Sequence, residues 1–147
     1  MAIEIDDPIF KYHSPQTLES AGGSLTTGSL GAATNGLAVA QHLDAPEADW
    51  ALEIDLASAP ANGKSVHLYG QARNVIGANS APAPDVNYPH TDIGTFPVKA
   101  ASGLQRIPLF DAPLLADALY HIHNDTGVTI NSWKLYATPK VLGVKNS

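Results

Sequence analysis

The sequence contains no cysteine, so disulfides, thiolate zinc sites, iron–sulfur clusters and cysteine nucleophiles are all excluded. Only 8 lysines and arginines stand against 14 aspartates and glutamates, a net charge of −6. Autonomous binding to nucleic acid needs clustered cations to neutralise phosphates, so that class of function is set aside. Methionine occurs once, and leucine, glutamate and lysine at helical spacing are thin, which argues against a helical bundle. No stretch approaches the roughly 18 apolar residues of a membrane helix. The start, Met1-Ala2-Ile3-Glu4-Ile5-Asp6-Asp7-Pro8, is acidic and has neither the basic region nor the apolar run of a secretory signal. The expectation is a soluble chain made in the cytoplasm, with no membrane partner, held together by packing or by assembly.

At 147 residues, with 44% hydrophobic and 15% charged, the chain is of one-domain size and able to bury a core. Gly 12 and Pro 11 point to strands joined by many turns. Charge is uneven: residues 1–63 hold nine acids and one base, Lys11, whereas residues 64–147 hold five acids and seven bases. Such a division suits contact between subunits, although a solvated face of one sign in each half explains it as well.

Residues 1–31 are polar, small and turn-rich, ending in Ala21-Gly22-Gly23-Ser24-Leu25-Thr26-Thr27-Gly28-Ser29-Leu30-Gly31. They hold too little apolar volume to offset the ordering of their own backbone, and are expected to form an N-terminal arm that lies on another surface. Within it, Ile9, Phe10 and Tyr12 are the candidate partner-binding residues, since Phe10 and Tyr12 alternate with Lys11 as on an edge strand.

From residue 32 to 147 the pattern becomes short β-like runs between turns. Asn35-Gly36 and Asn62-Gly63 are turn dipeptides. Leu37 to Leu43 alternates, with Gln41 out of phase. In Trp50-Ala51-Leu52-Glu53-Ile54-Asp55-Leu56 the large apolar residues face one way and the acids the other, the pattern of a half-buried strand. Ser65 to Ala72 continues with Val66 and Leu68 inward, and the prolines of residues 77–85 mark an exposed loop. Ile93–Ala100, Leu104–Phe110, Leu119–His123 and Trp133–Thr138 are further strands, and Leu114 to Ala118 is expected to make one helical turn. About seven or eight strands at regular spacing predict an all-β antiparallel sandwich or barrel.

Chemistry-bearing patterns are few. His121-Ile122-His123 puts two imidazoles on one strand face, but His67 and His42 are uncommitted as a third ligand, so no metal site is assigned. A solvated or intersubunit face accounts for the pair, and at a contact it would confer pH sensitivity. Gly63-Lys64-Ser65 lacks both the first glycine and the following helix of a phosphate loop. Glu53 and Asp55 are explained as the wet side of their strand. Asn124-Asp125-Thr126 matches a glycosylation sequon and reads better as a hairpin turn with Gly127. Trp50 and Trp133 each begin an inward-facing series and are expected in the core, although with the five tyrosines they could instead form a sugar-binding platform.

The ordered set of Asp49 to Leu56, the loop ending Pro82-Ala83-Pro84-Asp85, Leu104-Gln105-Arg106-Ile107-Pro108-Leu109, Asn124-Asp125-Thr126-Gly127 and Trp133 to Pro139 resembles small structural proteins encoded among tailed-bacteriophage head genes. These are capsid decoration, or cement, proteins of jelly-roll type, and the likeness covers roughly residues 49–140. The resemblance implies a non-enzymatic virion protein with no cofactor and no catalytic residue. It would sit on the outer capsid surface and bridge capsomers, with the major capsid protein and sister subunits of a homo-oligomer as partners. The competing expectation is a carbohydrate-binding β-sandwich module, or a tail or baseplate accessory protein contacting the host surface. Exposed, coplanar aromatics would favour that alternative, and buried tryptophans the capsid reading.

Overall fold

The computed structural model describes residues 8–36, 45–72, 91–115 and 118–144. Nine strands are found there: β1 (Pro8–Tyr12), β2 (Gln16–Gly22), β3 (Leu30–Ala32), β4 (Glu47–Leu56), β5 (Ser65–Ala72), β6 (Thr91–Pro97), β7 (Gly103–Pro113), β8 (Ala118–Asp125) and β9 (Ile130–Val144). The fold is all-β, with antiparallel sheets that curl into a half-barrel consistent with a β-sandwich. One sheet runs β1-β9-β4-β7, with β2 also paired to β9, and the other runs β3-β8-β5-β6.

Alternation builds the core. On β4 the buried and half-buried residues alternate without a break, so Trp50, Leu52, Ile54 and Leu56 all point inward. They meet Trp133, Leu135 and Ala137 of β9 in direct register, Ile54 opposite Trp133 and Leu52 opposite Leu135. Val66 and Leu68 of β5, Phe96 of β6, and Tyr120 and Ile122 of β8 close the core from the other sheet. Trp50 and Tyr120 pack edge to face with centroids 4.8 Å apart, a geometry that aligns a ring edge with the partner's π-face. Tyr120 finds a polar partner in the N–H of Leu115, which donates to its hydroxyl at 3.3 Å, whereas Trp50 Nε1 is buried without one among the described residues.

Two expectations meet the structure differently. Residues 8–31, expected as an arm, contribute β1 and β2 to one sheet and most of β3 to the other, and place Leu18 and Leu25 in the core. The ordering cost is met by ladder hydrogen bonds to β9 and β8 together with the burial of those two leucines. Leu114 and Leu115 are not helical: Leu114 N–H donates to Pro46 O, just before β4, at 2.9 Å, and residues 116 and 117 of the expected turn lie outside the described residues. The expected strand Leu37–Leu43 and loop 77–85 lie outside the described residues.

Candidate functional site

The outward face of the β1-β9-β4-β7 sheet carries what the core does not use. Because β4 turns its even-numbered residues inward, Asp49, Ala51, Glu53 and Asp55 point out, opposite Thr138, Tyr136, Lys134 and Ser132 of β9. On β7, Leu104, Arg106, Pro108 and Phe110 share this side, with Leu104 opposite Asp55 and Arg106 opposite Glu53. Tyr12 of β1 lies opposite Lys140 of β9. Three large hydrophobic side chains are exposed among the described residues, Tyr12 at 57%, Leu104 at 70% and Phe110 at 66%, and all three belong to this face.

Ion pairs hold the surface between them. Arg106 Nη2 donates to Glu53 Oε2 at 2.6 Å, and Lys134 Nζ lies 3.9 Å from Glu53 Oε1. The hydrogen bond from Arg106 lowers the Glu53 pKa from the ordinary carboxylate value, against a smaller opposing effect of burial and with help from the charges of Arg106 and Lys134. An open cleft of about 470 Å³ follows the β7 edge, lined by Pro97, Lys99, Ser102, Leu104, Arg106 and Pro108.

Further along the face, β7 has one extra residue: its register against β4 shifts between Ala48 and Trp50, so that Phe110 and Asp111 together oppose Asp49. Asp111 takes the bulge in a left-handed conformation, φ 55°, which aspartate tolerates better than most residues. Its N–H donates to Asp49 Oδ1 at 3.1 Å, and Lys140 Nζ donates to the same oxygen at 2.8 Å and also to Asp111 Oδ1. The Lys140 ammonium is almost wholly buried and lies 5.8 Å from the Tyr12 ring centroid. Burial would lower its pKa, but the hydrogen bonds and charges of Asp111 and Asp49 prevail and raise it.

The outward face of the second sheet carries three of the six histidines, His67, His121 and His123. His67 of β5 stands directly opposite His123 of β8, with ring centroids 6.0 Å apart, and Tyr69 lies 6.0 Å from His67. His67 Nδ1 is 3.2 Å from Thr95 Oγ1 and its Nε2 is 3.4 Å from Asp125 Oδ2. Burial first, then Asp92 and Asp125, raise the Tyr69 pKa and keep the phenol protonated. His121 Nε2 pairs with Gln71 Oε1 at 3.0 Å. Among the described residues no group of three or more histidine, aspartate or glutamate side chains is arranged to hold a metal ion. A histidine does bridge a carboxylate and a hydroxyl, but it does so on an open sheet face that does not exclude water.

Of the residues singled out in the sequence, Tyr12 lies on the outward face of the larger sheet. Ile9 and Phe10 sit on the same strand, opposite Gly143 and Leu142. Leu104 and Phe110 were not singled out, although the sequence carried a signal: Leu104, Ile107, Leu109 and Phe110 place apolar residues on both phases of one strand, so one set must face outward. Comparisons with protein-family models, curated proteins and solved structures return no match.

Proposed function

We propose that this chain is a non-enzymatic virion structural protein that docks on the outer surface of a phage capsid and stabilises it by bridging capsomers. The observation that carries this reading is that Tyr12, Leu104 and Phe110, the exposed large hydrophobics among the described residues, are spread along one broad sheet face, with ion pairs between them that keep the face soluble before docking. The partners are the major capsid protein and sister subunits. The ordered set of motifs between residues 49 and 140 adds support. The carbohydrate-binding alternative drew on Trp50 and Trp133 as a platform; at 1% and 3% exposed, they are out of a ligand's reach, which favours the capsid reading.

The test is rebinding. Capsids stripped of the protein are mixed with the purified chain and with a variant carrying Tyr12→Ser, Leu104→Ser and Phe110→Ser. The expected result is loss of capsid occupancy by about tenfold or more, with the melting temperature little changed because all three side chains are exposed. Full occupancy by the variant would sink the proposed face, and failure of the unmodified chain to bind any stripped capsid would sink the function.

A further inference from the structure

We propose that Lys140 and Asp111 become joined by an intramolecular isopeptide bond, formed by the folded chain itself with Asp49 as the proton carrier. The three groups come from three strands of one sheet, β9, β7 and β4: Lys140 and Asp49 stand in the ladder, and Asp111 in the bulge held between two ladder pairs of β7. Lys140 Nζ is in contact with Asp111 Oδ1 and lies 2.8 Å from Asp49 Oδ1. The left-handed bulge aims the Asp111 carboxyl at the amine, and the bond from Asp111 N–H to Asp49 Oδ1 keeps the second carboxylate in reach of the same nitrogen. The lysine head is 4% exposed, so bulk water does not compete for it, whereas Asp111 is 63% exposed and gives a released water its way out.

The chemistry closes without an oxidant or any added reactant. The Lys140 ammonium passes a proton to Asp49, and the neutral amine attacks Asp111 Cγ, forming an Nζ–Cγ bond. A second proton from nitrogen and the one held by Asp49 go to one Asp111 oxygen, the Cγ–O bond breaks, and water leaves. Asp49 ends as the carboxylate it began as. The product is an amide that staples the edge strand β7 to β9 across β4.

Intact-mass spectrometry of the purified full-length chain, followed by proteolysis, decides the matter. The expected mass is one water below that of the sequence, with a branched peptide linking the segment around Asp111 to the segment around Lys140. Lys140→Arg, which keeps the charge but cannot form the bond, should restore the full mass, and Asp49→Asn should leave much of the chain unlinked. A wild-type chain at full mass, or a water deficit without the branched peptide, overturns the proposal, and neither result depends on how well the variants fold.

Discussion

Two of the buried polar side chains among the described residues, Glu19 and Asn124, stand in where the ladder is interrupted or ends. Glu19, 7% exposed on β2, accepts from the Thr34 hydroxyl at 2.7 Å and from the N–H groups of Ser20, Ala21 and Thr34. Burial alone would raise its pKa, but these four donors outweigh it and hold the carboxyl below its ordinary value of 4.5. A depressed folded-state value means that the ionised group stabilises the fold above about pH 4.5, and that this contribution is lost as pH falls through the folded pKa. Glu19→Gln should therefore cost about 1–2 kcal/mol at pH 7 and show a shallower loss of stability on acidification. Melting curves of both proteins between neutral and acid pH check this, and parallel pH profiles would rule Glu19 out as a contributor. Asn124 does similar work at the β8–β9 turn, where its amide donates to Leu25 O and Val128 O and its carbonyl accepts from Thr126. That side chain is fully buried, so the sequon of residues 124–126 is spent on structure.

At the scale of strands, β4 was legible from Trp50 to Leu56, where strict alternation of large apolar and acidic residues allows one orientation only, whereas its first three residues, Glu47 to Asp49, carry no such pattern. β2 and β3 were not, and the reason is specific. Their glycines and alanines look too small to pack, yet smallness is what the fold uses: a Cβ on Gly22 would lie 2.3 Å from Trp133 Cε2, and one on Gly31 would lie 2.6 Å from Leu25 Cδ1. The indole is a large side chain on β9 that needs neighbours without side chains, and the two residues are 111 positions apart in sequence, beyond any local pattern. The Lys140 cluster was hidden for the same reason, since its carboxylates lie 29 and 91 residues away. One of the three exposed hydrophobics of the outward face was readable, Tyr12 from its strand pattern, whereas Leu104 and Phe110 belong to a strand whose apolar residues occupy both phases. Gly22→Ala should thus destabilise by about 1–3 kcal/mol through overpacking against Trp133. Gly23→Ala, with nothing within 4 Å of the added carbon, should be close to neutral. Urea midpoints of the two variants test the contrast, and equal midpoints would mean that Trp133 yields without cost.

For the molecule as a whole, the question is whether its first strands are an attachment or part of the fold. β1 and β2 cover one side of β9, and β3 forms the edge of the other sheet beside β8, so the segment closes both sheets. Leu18 and Leu25 are 1% and 5% exposed, and burying two leucines contributes about 3–6 kcal/mol by apolar area. The stability of a domain this size is about 5–15 kcal/mol, so that contribution is a large share of the whole. Removing residues 1–32 also strips the ladder from one side of β9 and uncovers Trp133 at Gly22 and Gly31. The expected outcome is a chain that unfolds at much lower temperature or without a cooperative transition, with tryptophan fluorescence shifted to the red and quenched by iodide. A truncated chain that melts as sharply as the full protein, with its tryptophans still protected, would restore the segment to the status of an arm. The truncation is for this reason a test of folding rather than of capsid attachment, and attachment is better probed by substitutions on the outward face, which leave both sheets closed.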